Sequence, residues 1–126
     1  LHDGLARADV ISVHTPLTPE TRHLIDARAF AAMKPGAIFV NTARGPVVDE
    51  QALVDALKSG CLFGAGLDVF EREPEVHPDL LAMPNVTLAP HIGSAEAKYR
   101  AMMTEMACAN AAAILLGQDP PNRVHA

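Results

Sequence analysis

Three short stretches, Asn41-Thr-Ala-Arg-Gly45, Gly66-Leu-Asp-Val-Phe-Glu-Arg-Glu-Pro74 and Pro90-His-Ile-Gly93, each place an ionisable side chain just past an apolar run. Arg44 offers a fixed fork of donors suited to a carboxylate, and its small neighbours Ala43 and Gly45 leave space for a ligand. His91 is held between Pro90 and Ile92-Gly93. An unperturbed imidazole titrates near ~6.5, and a neighbouring carboxylate such as Glu73 favours its charged form, which makes the pair a general acid. If the three apolar runs are parallel strands, Arg44, Glu73 and His91 all emerge on the carboxyl edge of the sheet, where ligands of open α/β sheets bind. The constellation reads as an active site.

Taken singly, each residue has a plainer reading. A lone His caps a strand or helix, and a lone Arg forms a surface ion pair. Asp68 ends an apolar run and is either a cap for the turn or an acceptor for a polar ligand group such as a carboxamide. His2, His23, His77 and His125 stand in polar or terminal contexts and read as solvated, whereas His14 lies at a strand end near the expected cleft. Glu71, Glu73 and Glu75 together read as a solvated acidic loop. No His or Cys spacing suits a metal, and neither Ser12 nor Ser94 sits in a nucleophile elbow.

Alternating elements must position these groups. Val10 to His14 is a β-branched strand stopped by Thr15-Pro16, and the helical tail Leu5 to Asp9 leads into it. Asp26 caps a helix through Lys34, ended by Pro35-Gly36, and Ala37 to Asn41 is a strand apolar throughout, as burial on both faces requires. Asp49 caps a second helix carrying Leu53, Val54 and Leu57, with Gly60 at its left-handed end. Cys61 to Val69 and Val86 to Ala89 supply two further strands. Gly64 and Gly66 weaken the third strand and so signal close approach of a backbone or ligand. From Ser94 to Leu116, Tyr99, Met102, Met103, Met106 and Ala109 recur at helical spacing, which predicts one long amphipathic helix with its methionines in a core; Gly117 to Pro121 ends it. The pattern is α/β, a doubly wound parallel sheet with right-handed crossovers.

The chain has 126 residues, 49% hydrophobic and 20% charged, enough for one buried core. Ten basic and fifteen acidic residues give a net charge of −5 without a Lys/Arg run, which argues against nucleic acid as a partner. No apolar run is long enough to span a membrane, and no signal peptide is evident. Cys61 and Cys108 read as buried thiols in a reducing cytoplasm. Leu1 is not an initiator methionine, and the chain reads as a fragment whose first strand exposes an edge open to self-association.

Ala8 to Pro16 with Thr21 and Leu24, Lys34 to Gly45 with Val47-Val-Asp49, Gly66 to Phe70, Glu73-Pro74 and Pro90 to Gly93 together resemble the NAD(P)-dependent D-isomer-specific 2-hydroxyacid dehydrogenases. Several ordered motifs in succession are more specific than one glycine-rich match. The resemblance implies part of a Rossmann-type NAD(P)-binding domain. Residues 1–93 would be its C-terminal half, and residues 94–126 a long helix and tail returning to an absent substrate domain. It also implies that Arg44 binds the substrate carboxylate, that Glu73 pairs with His91, and that His91 exchanges the proton at the C2 oxygen. Thr15, Thr42, Ala43, Arg44, Asp68, His91, Gly93 and Ser94 would line the NAD or NADP cleft, with Asp68 on the nicotinamide carboxamide.

Within the family, the Phe70 to Glu75 loop, the Leu80-Leu81 and Pro84-Asn85 spacing and the Pro120-Pro121-Asn122 tail look most like glyoxylate/hydroxypyruvate reductases. The implied protein is a cytoplasmic homodimer acting on a small 2-oxo or 2-hydroxy acid. The family's Gly-x-Gly-x-x-Gly turn is absent from these residues, so the segment alone is expected to hold a dinucleotide weakly and to be inactive. Two other readings are a nucleotide-sensing protein-binding module, like a transcriptional co-repressor, and an inert fragment.

Overall fold

Two aspartates start helices by the same device. The Asp26 carboxylate accepts the Ala29 N–H at 2.9 Å and begins α2 (Ala27–Ala31), and the Asp49 carboxylate accepts the Ala52 N–H at 3.1 Å and begins α3 (Glu50–Lys58). Each cap satisfies a donor that has no partner within its helix and contributes about 1 kcal/mol. Gly60, at φ 75°, takes the left-handed turn just beyond α3.

The computed structural model describes residues 1–124; His125, expected to be solvated, lies outside the described residues. Between the helices run four strands, β1 (Val10–Val13), β2 (Ala37–Asn41), β3 (Leu62–Leu67) and β4 (Val86–Leu88). They pair in parallel in the order β1-β2-β3-β4, so β1 lies at an edge and all four carboxyl ends share one rim. The α/β parallel sheet expected from the sequence is present. Gly64 is a point of close approach as expected: a Cβ there would lie 2.5 Å from the Asn85 carbonyl oxygen. At Gly66 the nearest atom would be a Val40 methyl at an ordinary 3.9 Å, so no neighbouring backbone of this chain requires glycine there.

Several expectations need correction. The opening helix, α1, occupies His2–Leu5 rather than continuing to Asp9, and α2 stops at Ala31, short of Lys34. A five-residue helix, α4 (Pro78–Ala82), was not anticipated; His77 caps it by accepting the Asp79 N–H, and Leu80 anchors it in the core. β2 is not covered on both sides within these residues. Ala37, Phe39 and Asn41 are buried, but Ile38 is exposed together with its register partner Val10. The covered face packs Phe39 edge to face against Phe30 of α2, with ring centroids 5.3 Å apart. Burial of each such ring stabilises the fold by about 1.5–3 kcal/mol.

The chain divides into two compact units, Leu1–His91 and the residues from Ile92 onward. The second contains α5 (Ala97–Leu115), close to the expected helix, but none of its residues is buried. Tyr99, Met102, Met103 and Met106 are therefore exposed, not core, because nothing among the described residues encloses the apolar side chains of α5. The thiols are also less buried than expected. Cys108 lies exposed on α5, and Cys61 is half-buried just before β3, its Sγ 3.7 Å from the Phe30 carbonyl.

Candidate active site

β2 ends in a buried asparagine. The Asn41 side chain accepts the Ala43 N–H and donates to the Arg44 carbonyl, both at 3.1 Å, and so bends the chain into a fixed turn at the carboxyl rim. That turn presents Arg44 at the surface, with Nη1 donating to the Ala43 carbonyl at 2.6 Å. Gly45 does not leave space for a ligand. A Cβ at this position would lie 1.8 Å from the Phe70 carbonyl oxygen, so the loop after β3 presses directly on the turn after β2.

The loop after β3 holds Glu73 against the loop after β4. Its Oε1 accepts the Phe70 N–H at 3.0 Å, and its Oε2 lies 2.8 Å from His91 Nδ1. The hydrogen bond from His91 is the largest reason that the Glu73 carboxyl titrates below the usual range. Partial burial opposes it, and the Phe70 N–H and the charges of His91 and Arg44 reinforce it. Arg44, Glu73 and His91, from three separate loops, therefore share one electrostatic environment. His91 takes φ 55°, in the left-handed region that few residues other than glycine adopt.

The same rim carries a cleft of about 530 Å³ lined by His14, Thr15, Thr42, Ala43 and Arg44. At its wall, the Thr15 Oγ1 is buried without a hydrogen-bond partner. A buried hydroxyl left in this way is costly unless a ligand supplies the missing bond, so the cleft suits a polar cofactor or substrate. His14 stands at the cleft with Nε2 2.8 Å from the Ser12 hydroxyl. Asp68 is buried directly after β3, and its N–H donates to the Asn41 carbonyl at 3.0 Å. Gly93 and Ser94 belong to the second unit, in an exposed turn closed by the Ala95 N–H on the Ile92 carbonyl at 2.9 Å.

The sequence reading missed three participants at the rim. Asn41 carried a signal, since an Asx residue at the end of an apolar strand favours a turn. Glu71 and His23, read as solvated, are bonded to each other: Glu71 Oε1 lies 2.8 Å from His23 Nε2, and the Glu71 side chain is only 18% exposed. Burial would raise the Glu71 carboxyl, but the His23 bond, the Glu50 N–H and the charges of His23 and Arg22 together hold it below the usual range. His77 is half-buried as the cap of α4, leaving His2 exposed as expected.

The family model described as "D-isomer specific 2-hydroxyacid dehydrogenase, NAD binding domain" matches residues 1–93. The chain is 50% identical over 121 residues to the glyoxylate reductase of Thermococcus litoralis, covering 96% of this chain and 37% of that protein. It is 52% identical over 122 residues to glyoxylate/hydroxypyruvate reductase B of Escherichia fergusonii, covering 96% of this chain and 38% of that one. Among solved structures, the TT0316 protein of Thermus thermophilus superposes with a TM-score of 0.93 at 52% identity, over 98% of this chain and 40% of that one. The chain thus spans little more than a third of the length of these relatives.

Proposed function

The chain belongs to the D-isomer specific 2-hydroxyacid dehydrogenase family through its NAD-binding domain, and from that premise we propose that the protein carrying it reduces a small 2-oxo acid, glyoxylate or hydroxypyruvate. Bound NADH or NADPH supplies the hydride to C2. The residues of this chain bind the substrate and manage the proton. Arg44 holds the carboxylate through its fork of N–H donors, Glu73 orients the imidazole through Nδ1, and His91 donates the proton to the C2 oxygen. In the reverse direction neutral His91 accepts it. The single observation that carries this reading is the 2.8 Å contact between His91 Nδ1 and Glu73 Oε2, which leaves Nε2 of the ring for a substrate oxygen.

The cofactor reading rests on the family model and on the cleft beside Arg44. Thr15, Thr42, Ala43, Arg44, Asp68 and His91 would line the nicotinamide end, with the orphaned Thr15 hydroxyl able to bond a polar group there. Gly93 and Ser94 are proposed to complete it. The choice of glyoxylate or hydroxypyruvate follows the named relatives, which are reductases; they do not favour the protein-binding module.

We further propose that residues 1–93 are the C-terminal half of the dinucleotide-binding domain, and that residues 94–126 return to a substrate domain. A cytoplasmic homodimer without a nucleic-acid partner is part of the same reading. Among the described residues no helix is long and apolar enough to cross a membrane. The test is turnover of glyoxylate and hydroxypyruvate by the full-length protein, followed as loss of reduced-nicotinamide absorbance. Saturable turnover supports the proposal, and its absence alongside retained NADH binding contradicts it.

A further inference from the structure

Within the loop that bears Glu73, a second carboxylate makes contacts of its own two residues earlier. Glu71 Oε2 accepts the Glu50 N–H at 3.1 Å, while Glu50 Oε2 accepts the Glu71 N–H at 2.9 Å, a reciprocal pair that fastens the loop to the start of α3. The other oxygen of Glu71 reaches His23 at 2.8 Å, with Arg22 at 3.9 Å. His23 is itself fixed. Its N–H donates to the Pro46 carbonyl at 2.9 Å, and its backbone takes φ 52°. One side chain thus ties the loop to α3 and to the segment that precedes α2.

We infer that Glu71 is a positioning residue for the reaction, clamping the loop so that Glu73 meets His91 in one geometry. Three observations converge on this role. The Gly45 backbone abuts the Phe70–Glu71 peptide so closely that no Cβ fits between them, so the loop has one seat. The Phe70 N–H, adjacent to the clamped residue, is the donor that holds Glu73 Oε1. Glu73 itself is over a third exposed, and its Oε1 is held by the backbone N–H of the residue next to the anchored Glu71. The role rests on the proposed acid–base reading of Glu73 and His91.

The charged groups facing Glu71 are His23, Arg22 and the Glu50 carboxylate, and those facing Glu73 are His91 and Arg44. The test uses the full-length enzyme and the pH profile of 2-oxo-acid reduction in Glu71→Ala, Glu71→Gln, Glu73→Gln and the double variant Glu71→Ala/Glu73→Gln. Glu71→Ala is expected to lower kcat by roughly 10- to 100-fold, the scale of a small misplacement in an active site, with the KM for reduced nicotinamide unchanged. Its alkaline limb moves toward lower pH, as in Glu73→Gln. Glu71→Gln keeps an acceptor for the Glu50 N–H and restores most of the activity, and the double variant is no worse than Glu73→Gln alone, because the clamp acts only through Glu73.

If Glu71→Ala does not fold, His23→Ala, which leaves the Glu50 contacts in place, is expected to move the same limb by a smaller amount. A Glu71→Ala or His23→Ala enzyme that melts earlier yet keeps the wild-type limb, while Glu73→Gln shifts it, overturns the positioning role and leaves the acid–base reading standing. A limb unmoved by Glu73→Gln overturns that reading and the positioning role with it.

Discussion

His91 Nδ1 and Glu73 Oε2 stand 2.8 Å apart although 18 residues separate them, because parallel β3 and β4 deliver their following loops to the same rim. The contact engages Nδ1, one of the two nitrogens of the ring. Replacing His91 with Ala in the full-length enzyme is expected to lower kcat by about 10²- to 10⁴-fold, the usual contribution of a positioned proton donor. Cofactor affinity, measured by quenching or enhancement of nicotinamide fluorescence, should change little.

Arg44 is expected to act on substrate binding. Loss of its charge-assisted hydrogen bonds in Arg44→Ala removes about 1.5–3 kcal/mol, which appears as a roughly 10- to 100-fold rise in KM for the 2-oxo acid. Steady-state kinetics at saturating reduced nicotinamide checks this. A collapse of cofactor affinity with KM for the acid unchanged would place Arg44 elsewhere in the reaction.

Gly45→Ala tests the seat of the Glu73 loop. The added methyl would fall 1.8 Å from the Phe70 carbonyl oxygen, so the loop or the Arg44 turn must move. Overpacking of this kind costs about 1–3 kcal/mol. Denaturant unfolding should show that loss, and activity should fall as well, because both Arg44 and Glu73 flank the clash.

Asn41→Leu keeps the branched shape of the side chain but removes the bonds to Ala43 and Arg44. The Ala43 N–H left without a partner costs about 1–3 kcal/mol, whereas the Arg44 carbonyl keeps the Val47 N–H at 3.3 Å; KM for the acid is raised because the turn that carries Arg44 is loosened. Chemical denaturation and kinetics on one preparation separate the two effects.

Glu71 and Glu73 both titrate below the ordinary carboxylate value of 4.5 in the folded state. A carboxyl whose folded value is depressed stabilises the fold above its unfolded value, and that contribution is lost as pH falls through the folded one. Glu71→Gln should therefore be less stable than the parent near neutrality, and the gap should narrow as pH falls below the ordinary carboxylate value and close below the depressed folded one. Urea midpoints across that range measure it.

The parallel sheet and the rim were legible because strand ends are marked locally. Thr15-Pro16 lies just past the end of β1, the Asp26 and Asp49 caps mark where α2 and α3 begin, and parallel direction then places Arg44, Glu73 and His91 on one side. Side-chain direction within the 70–75 loop was not legible. Nothing in the spacing of Glu71, Glu73 and Glu75 says that the first faces Glu50 and His23 while the second faces His91; the backbone seat against Gly45 decides it. α4 carried Pro78 at its first turn but is too short for helical periodicity to register. The methionines of α5 show the remaining limit, since spacing reports an apolar helix but not what encloses it.

The most direct test of the account is the pH dependence of kcat/KM for glyoxylate reduction by full-length wild-type and Glu73→Gln enzymes. If Glu73 and His91, 2.8 Å apart, act as one acid–base pair, the alkaline limb of the variant lies at lower pH than that of the wild type. Superimposable limbs would contradict it.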